Sequence, residues 1–124
     1  MTHPNVEKYR QIMSGDFDPA QLAEVIADDV VWYEAGNPTP FTGRDAVVAR
    51  MSGFPGDAPP AVELDAVLGD DDDLVVVGRA HFVKGEHTLD YRFVEHLTYR
   101  DGKVSERRSY MDAVPDDVAA FFGG

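Results

Sequence analysis

The pattern of apolar residues in the first half of the chain predicts three short helices. Apolar residues at three- and four-residue spacings predict an amphipathic first helix that ends near Ser14-Gly15. Its apolar positions are Val6, Tyr9, Ile12 and Met13. A second helix is capped by Asp18-Pro19 and ends near Asp28, with an apolar stripe made of Leu22, Val25 and Ile26. A third helix begins at Gly43-Arg44-Asp45 and breaks at Gly53-Phe54-Pro55-Gly56.

After Pro60 the pattern changes to long extended segments. The predicted strands are residues 61–68, 74–84, 87–100 and 103–114, and Asp101-Gly102 is a two-residue hairpin signal. A further strand around Trp32 precedes the third helix. Helices followed by a meander of strands predict an α+β fold, in which three N-terminal helices cover one face of a curved, mostly antiparallel sheet. Such a sheet leaves a conical pocket that suits a small apolar ligand.

Glu34 is the first candidate for chemistry, because it ends an apolar strand. In an alternating strand Val30, Trp32 and Glu34 share one face, so the carboxylate has two apolar neighbours. If that face is the inside, the loss of water increases the proton affinity of a carboxylate, which suits a general base or acid near neutral pH. The alternative is that the strand is nearly over at Glu34 and that the carboxylate reaches water at the rim of the sheet.

Length, composition and charge narrow the class of protein. A chain of 124 residues is enough for one domain with a single core, and we assign residues 1–124 to one domain. The absence of cysteine excludes disulfides and thiolate catalysis. The formal net charge of -12 disfavours nucleic acid and anionic lipid as partners. The sequence shows neither a signal-peptide pattern nor an apolar run of about 20 residues, so we expect a soluble cytoplasmic protein.

Neither the histidines nor the acidic run predicts a metal site. His3 lies near the N-terminus, and the other three histidines stand on separate strand positions, without helical pairing or thiolate ligands. They are His81, His87 and His96. The four aspartates at 70–73 lack the spaced ligands, central glycine and terminal glutamate of an EF-hand. We therefore expect no metal and no cofactor, and we place only His81 among the histidines in the pocket.

The order of the motifs is characteristic. It runs from the Asp18-Pro19 cap through the segments 28–32, 41–47, 101–104 and 110–112. This order resembles the nuclear transport factor 2-like superfamily, in its SnoaL-like polyketide cyclase and ketosteroid isomerase-like branch, over about residues 6–114. The resemblance implies a cone-shaped, cystatin-like roll. It does not imply one reaction, because this superfold includes isomerases, cyclases, hydrolases, dehydratases and proteins without catalysis.

The resemblance assigns catalytic roles to three residues. Glu34 matches the general-base aspartate of ketosteroid isomerases, Tyr9 lies near the helix-one tyrosine that binds the enolate oxygen, and Glu95 resembles the protonated aspartate that binds the same oxygen. Alternation places Glu95 on one strand face with Tyr91, Phe93 and Leu97. For Tyr9 the alternative is ordinary helix packing. For Glu95 the alternative is a structural ion pair with Arg92, Arg107 or Arg108.

The chain departs from the limonene epoxide hydrolases of the same superfamily, which activate water with an Asp-Arg-Asp set. This sequence has Arg79-Ala80-His81 where those enzymes have Arg-x-Asp, and Ser109 stands where the second aspartate would fall. With two carboxylates replaced, epoxide hydrolysis by the same mechanism is disfavoured. Arg79, His81 and Arg107 would still make the cavity polar. Asp112 is either a polar group at its rim or an exposed strand-end carboxylate.

Two classes of function remain open from the sequence. The first is a cofactor-free enzyme that moves a proton alpha to the carbonyl of a small apolar polyketide- or steroid-like compound, with Glu34 as the base and Glu95 and Tyr9 on the enolate oxygen. The second is a non-catalytic ligand-binding or dimerisation module. The residues expected to bind substrate are Trp32, Arg79, His81, Phe93, Arg107, Ser109 and Asp112.

We also expect a homodimer. Long strands behind short helices leave the outer face of the sheet partly apolar, and such a patch is normally covered. The residues expected there are Val94 and either Val75 or Val76.

Overall fold

A computed structural model of the protein describes residues 3–13, 18–34, 37–52 and 61–112. Its helices and its long strands follow the predicted order. The helices are α1 (Pro4–Met13), α2 (Pro19–Val25) and α3 (Arg44–Ser52). The strands are β1 (Ile26–Trp32), β2 (Phe41–Thr42), β3 (Ala61–Gly69), β4 (Asp73–Lys84), β5 (His87–Arg100) and β6 (Lys103–Met111). They form one six-stranded sheet in the order β2-β1-β6-β5-β4-β3.

The sheet is antiparallel except where β1 runs parallel to β6. The β5–β6 hairpin turns at Asp101 and Gly102, whose φ values of 53° and 79° match the two positive φ angles of a type I′ turn. In the packing of the helices, α1 contacts β3, α3 contacts β1, and α2 contacts α3. The predicted α+β fold, a curved and mostly antiparallel sheet with N-terminal helices, is confirmed. No helix in the described ranges is long and apolar enough to cross a membrane.

Element boundaries differ from the predictions at α2 and β1. The second helix ends at Val25 rather than near Asp28, and Ile26 begins β1. Ile26 is buried because this strand starts inside the core, so the last residue of the predicted apolar helix stripe belongs to β1 instead. The short strand β2 was not predicted. The helix ends predicted at Ser14-Gly15 and at 53–56, and the strand residues 113–114, lie outside the described residues.

The core lies on the inner face of the sheet, and alternation along β4 and β5 defines that face. Buried positions on β4 are Leu74, Val76, Gly78, Ala80 and Phe82, and the inner positions of β5 are Leu89, Tyr91, Phe93, Glu95, Leu97 and Tyr99. Each helix contributes to the same core, through Val6, Leu22 and Val47 respectively. At Gly78 a Cβ atom would lie 2.5 Å from the backbone carbonyl oxygen of Glu63 and 2.9 Å from the Phe93 ring, so the close approach of strand β3 and of that ring requires glycine.

Arg79 and His81 lie on the outer face, which corrects their predicted place in the pocket. The apolar residues at even positions take the inner face of β4, so the odd positions point outward. The Arg79 side chain is 51% exposed and lies 3.5 Å from Glu63 and 3.4 Å from Asp65. The His81 side chain is 46% exposed and bonds Asp90. By the same alternation Val76 is buried, so of Val75 and Val76 it is Val75 that lies on the outer face.

Candidate functional site

A cavity of about 70 Å³ lies between the inner face of the sheet and the helices α1 and α2. One water molecule requires roughly 10–15 Å³ on this scale, so the cavity has room for several waters or a small organic molecule. Most of its lining is apolar, including Ile12, Leu22, Val25, Trp32, Leu97 and Val104. Glu95 is the acidic residue among the described residues that line it. The cavity is therefore mostly apolar, and its polar lining includes the Glu95 carboxylate, Lys8 and the phenols Tyr9 and Tyr99.

Glu95 bonds Tyr9 on one side and Arg107 on the other. The Tyr9 hydroxyl donates to Glu95 Oε2 at 2.7 Å, and Arg107 Nη2 donates to Glu95 Oε1. The side chains of Glu95 and Arg107 are only 13% and 10% exposed. In this ion pair the carboxylate is ionised, and an ionised carboxylate only accepts hydrogen bonds. The Tyr9 proton is therefore committed to Glu95.

Arg107 connects this cluster to β1. Its Nη1 donates to the Tyr33 carbonyl at 3.1 Å, and its guanidinium lies 4.7 Å from the centre of the Trp32 ring. Trp32 Nε1 and Arg107 Nε are both buried and make no hydrogen bond to a described residue. The cation–π contact between the two side chains partly offsets the cost of burying them. The only tryptophan of the chain thus lines the cavity and contacts the cation behind Glu95.

Glu34 forms a second ion pair, just after the end of β1. Arg50 Nε of α3 donates to Glu34 Oε1 at 3.1 Å and to Oε2 at 3.0 Å. The Glu34 side chain is 17% exposed, so it is neither fully inside nor free in water at the rim. Arg50 also lies 5.7 Å from the centre of the Phe41 ring. Within the described part of the chain the cavity lining includes Glu95 but not Glu34.

Three tyrosines near the cluster remain neutral at neutral pH. Burial, and then the charge of Glu95, raises the pKa of Tyr9 well above its ordinary value. Burial raises the pKa of Tyr91 to about 12. The positive charge of Arg107 acts to lower this pKa, whereas the negative charges of Glu95 and Glu34 act to raise it. Burial alone raises the pKa of Tyr99 to about 12. Tyr91 therefore lies within electrostatic range of both ion pairs, and none of the three phenols is a base near neutral pH.

The remaining predicted site residues occupy different parts of the sheet. Phe93 is buried on the inner face, and Ser109 stands opposite Glu95 in the β5–β6 pairing. Asp112 follows β6, is exposed, and accepts a hydrogen bond from the backbone N–H of Arg92 at 2.8 Å. It therefore closes the end of a strand pair, in line with the alternative given for it. Arg79 and His81 stand apart from this cluster on the outer face.

The histidines of the described residues form no metal centre. His96 lies on the face opposite to Glu95 and its Nε2 lies 2.8 Å from Asp73 Oδ1. His3 Nε2 lies 3.0 Å from Asp71 Oδ1. Over the four described ranges no three His, Asp or Glu side chains are grouped so as to hold a metal ion.

The whole cluster falls within one family match. The model of the SnoaL-like domain matches residues 6–107, which include Tyr9, Glu34, Glu95 and Arg107. The chain belongs to the SnoaL-like family. No significant match to this SnoaL-like protein was found among curated proteins.

Solved structures share the fold of this SnoaL-like protein at low sequence identity. A proposed SnoaL-like polyketide cyclase from Jannaschia sp. CCS1 is 20% identical with a TM-score of 0.74, over 97% of this chain and 92% of that one. A cystatin-like-fold protein of unknown function from Xanthomonas campestris is 23% identical with a TM-score of 0.74, over 100% of both chains. An LEH-like epoxide hydrolase from M. tuberculosis is 20% identical with a TM-score of 0.69, over 96% of this chain and 87% of that one. At these identities the likeness shows the fold alone.

Two features of the site were not predicted from the sequence. The first is the pairing of Glu34 with Arg50, which depends on how α3 packs beside β1. The second is that Tyr91 lies within electrostatic range of both ion pairs. Alternation already placed Tyr91 on the face of Glu95, so the pattern held a signal for this second feature.

Proposed function

We propose that this SnoaL-like protein binds a small, largely apolar carbonyl compound of polyketide- or steroid-like character and moves a proton alpha to the carbonyl without a cofactor. The observation that supports this proposal is the Glu95 carboxylate, which pairs with Arg107 and lies in the wall of a mostly apolar cavity. A charge in a site that excludes water acts more strongly on a bound molecule than the same charge in solution.

Glu95 is better supported as the base than Glu34, because Glu95 lines the cavity. In the proposed step a Glu95 oxygen takes the proton from the carbon next to the carbonyl. The electron pair of the broken C–H bond forms the enolate, whose negative charge lies mainly on oxygen. In a conjugated enolate Glu95 then returns the proton to another carbon, which completes an isomerisation. Alternatively the enolate carbon attacks a second carbonyl carbon, the π electron pair of that C=O bond moves to its oxygen, and the resulting alkoxide takes the proton from Glu95 as the ring closes. Glu34, the base implied by the resemblance, is the second candidate.

A non-catalytic ligand-binding module is the second candidate function. Glu95 already accepts hydrogen bonds from Tyr9 and Arg107, and a carboxylate held in this way can orient a donor group of a ligand without reacting. Epoxide hydrolysis receives less support, because Arg79 and His81 occupy the place of the hydrolase residues in sequence but lie on the outer face.

The test uses 2-tetralone, an apolar ketone with acidic alpha C–H groups. Binding is followed by the fluorescence of Trp32, the only indole, and chemistry by proton NMR of alpha-deuterium uptake in D₂O. We expect the protein to quench or shift the indole emission and to accelerate exchange. Glu95→Gln should reduce the accelerated rate by about 10²-fold or more, which is typical for loss of a general base. Glu63→Gln, on the outer face, is the matched control, and Glu34→Gln tests the second candidate.

Each outcome separates the hypotheses. If the protein binds 2-tetralone without accelerating the exchange, the enzyme hypothesis is rejected in favour of the ligand-binding module. If Glu34→Gln abolishes the accelerated exchange and Glu95→Gln leaves it unchanged, the base is Glu34. If 2-tetralone and its larger polycyclic analogues leave the indole emission unchanged, the proposed ligand class is rejected.

We further propose that the protein is a homodimer that covers the outer face of the sheet. Val75, Val94 and Tyr110 are 37%, 38% and 57% exposed there. Val77, Val94 and Tyr110 are paired side by side across β4, β5 and β6, so the apolar surface is continuous over three strands.

A further inference from the structure

We propose that Lys8 of α1 and Tyr99 of β5 bind a carboxylate at the mouth of the cavity, so that the ligand is an apolar compound with one carboxylate at its outer end. The inference rests on the proposed function in one respect, namely that this cavity holds the substrate. It narrows the substrate class to a carbonyl compound that is also an acid.

The first step is the position of the mouth. Of the described residues that line the cavity, only Lys8 and Gly102 are exposed, and the others are buried or half-buried. Gly102 lies in the turn between β5 and β6, so the cavity opens to water between α1 and that turn. Trp32 and Ile26 are among the most buried residues of the lining. A ligand that enters here therefore buries its apolar body against residues such as Trp32 and keeps its last atoms near Lys8.

The second step is the state of the Lys8 ammonium. Lys8 is the cationic residue in the described part of the lining, and its side chain forms no ion pair with another described residue. A lysine lays its methylene groups along apolar surface and keeps its charge in water, so the ammonium lies at the rim. Glu7 and Asp101 flank the mouth in sequence, but neither lines the cavity. A negative group on the ligand would complement this cation.

The third step is Tyr99, the lining residue of β5 closest to the turn. Burial raises the pKa of Tyr99 to about 12, so the phenol is neutral and adds no negative charge to the mouth. Its hydroxyl makes no hydrogen bond within the described ranges, so its proton is available to an acceptor. Tyr9, the other phenol of the lining, donates to Glu95 instead. Hydrogen bonds from Lys8 and Tyr99 are strongest to an acceptor that carries a charge.

The fourth step is the orientation and charge of the ligand. Glu95 already places a carboxylate in the wall of the cavity. A ligand carboxylate next to it would bring two negative charges together, which costs more where water is excluded. The carboxylate of the ligand therefore points to Lys8 at the mouth. One lysine balances one negative charge, which favours a carboxylate over a phosphate monoester with its charge of about -1.5 to -2.

The experiment compares 3-cyclohexylpropanoate with 3-cyclohexylpropanamide, which has nearly the same shape without the charge. Neither compound has an aromatic ring, so both can be titrated by Trp32 fluorescence at neutral pH. The variants are Lys8→Gln and Tyr99→Phe. Their matched controls are Lys103→Gln, next to Gly102 in sequence, and Tyr91→Phe, on the same face of β5; neither control residue lines the cavity. Urea unfolding verifies that each variant is folded under the assay conditions.

We expect the native protein to bind the acid about three- to fivefold more tightly than the amide, which is the effect of a charge pair that is partly open to water. Lys8→Gln should remove this preference by weakening only the acid, and Lys103→Gln should retain it. Tyr99→Phe should weaken the acid by a larger factor than the amide, whereas Tyr91→Phe should change neither. A native protein that binds the amide as tightly as the acid would overturn the inference. So would a preference that survives Lys8→Gln, or one that Lys103→Gln removes equally.

Other outcomes distinguish this inference from the proposed function, because neither probe is a ketone. If the native protein binds and exchanges 2-tetralone but does not prefer the acid to the amide, the inference fails while the proposed function stands. If the preference for the acid depends on Lys8 but 2-tetralone neither binds nor exchanges, the carboxylate site stands and the proposed chemistry fails. If none of the three compounds changes the indole emission, both proposals are rejected.

Discussion

The buried ion pair between Glu95 and Arg107 combines a structural requirement with the functional role proposed for Glu95. Taking both charges out of water costs free energy that their attraction only partly recovers, so a well-packed apolar pair could be equally stable. Losing one partner alone is different, because the other charge is then buried without compensation.

The pair therefore gives a prediction for stability. Glu95→Gln should lower the free energy of unfolding by about 3 kcal/mol, because Arg107 is left unpaired. The double change Glu95→Gln with Arg107→Met should be more stable than Glu95→Gln alone. Urea unfolding of the three proteins measures both effects. The matched control is Glu106→Gln, in the exposed pair with Arg108 on β6, which should leave unfolding nearly unchanged. A double variant less stable than the single one would contradict the expected burial cost.

Tyr91 and Tyr99 give a prediction for alkaline stability. Their pKa values of about 12 in the folded protein lie above the value of about 10 expected in the unfolded chain. Between these two values the unfolded chain loses protons that the folded protein keeps, so stability is full below pH 10 and falls as the pH rises to 12. Each tyrosine should contribute up to about 1.4 kcal/mol per pH unit to that decline, and Tyr99 contributes less because it is partly exposed to water, which screens the effect.

The measurement is the free energy of unfolding between pH 9 and pH 12, for the native protein and for Tyr99→Phe. The variant should show a shallower decline, because one of the titrating groups has been removed. Identical slopes would mean that Tyr99 is accessible to water when folded.

At the scale of elements, α2 depends on its N-cap more than a longer helix would. The helix has seven residues, and Asp18 Oδ1 accepts from the backbone N–H of Ala20 at 3.0 Å. Asp18→Ala should lower the free energy of unfolding by about 1 kcal/mol. Leu22 and Val25 of this helix line the cavity, so ligand binding should weaken in the same variant. Chemical unfolding and Trp32 fluorescence measure the two effects, with Glu24→Ala on the exposed side as the control. A loss of stability without any loss of affinity would mean that α2 does not shape the cavity.

The elements show which parts of the fold a sequence pattern determines. β5 spans residues 87–100 as predicted, because its alternation is long and Asp101-Gly102 ends it with a defined turn. The pattern of β4 also shows two faces. The pattern does not show which of the two faces is inside, since valines occupy both faces. The prediction chose the wrong face as the inner one and therefore placed Arg79 and His81 in the pocket. The contact between Arg50 and Glu34 lies between elements, where spacing along one strand or helix gives no information.

At the scale of the whole molecule, the apolar outer face predicts self-association. Sedimentation equilibrium at micromolar concentration should give twice the mass of the chain. Val94→Lys should give a monomer, because a charge would then lie at the centre of the patch formed with Val77 and Tyr110. Glu24→Lys, on the exposed side of α2, is the control and should remain dimeric. A monomeric native protein would exclude the outer face as an interface between copies.

The parallel pairing of β1 with β6 has a consequence for the order of folding. Its partners, such as Trp32 and Arg107, are separated by most of the chain, whereas the hairpins from β3 to β6 join neighbours in sequence. Closing so long a loop is slow compared with forming hairpins. On a ribosome the N-terminal segment leaves first, and the short strand β2 can pair with one edge of β1 early, yet the other edge has no partner until residues 103–111 have emerged. Trp32 can reach its place beside Arg107 only after those residues have emerged, so the wall of the cavity is completed late in synthesis. Until then the apolar face of β1 depends on other contacts to stay out of water.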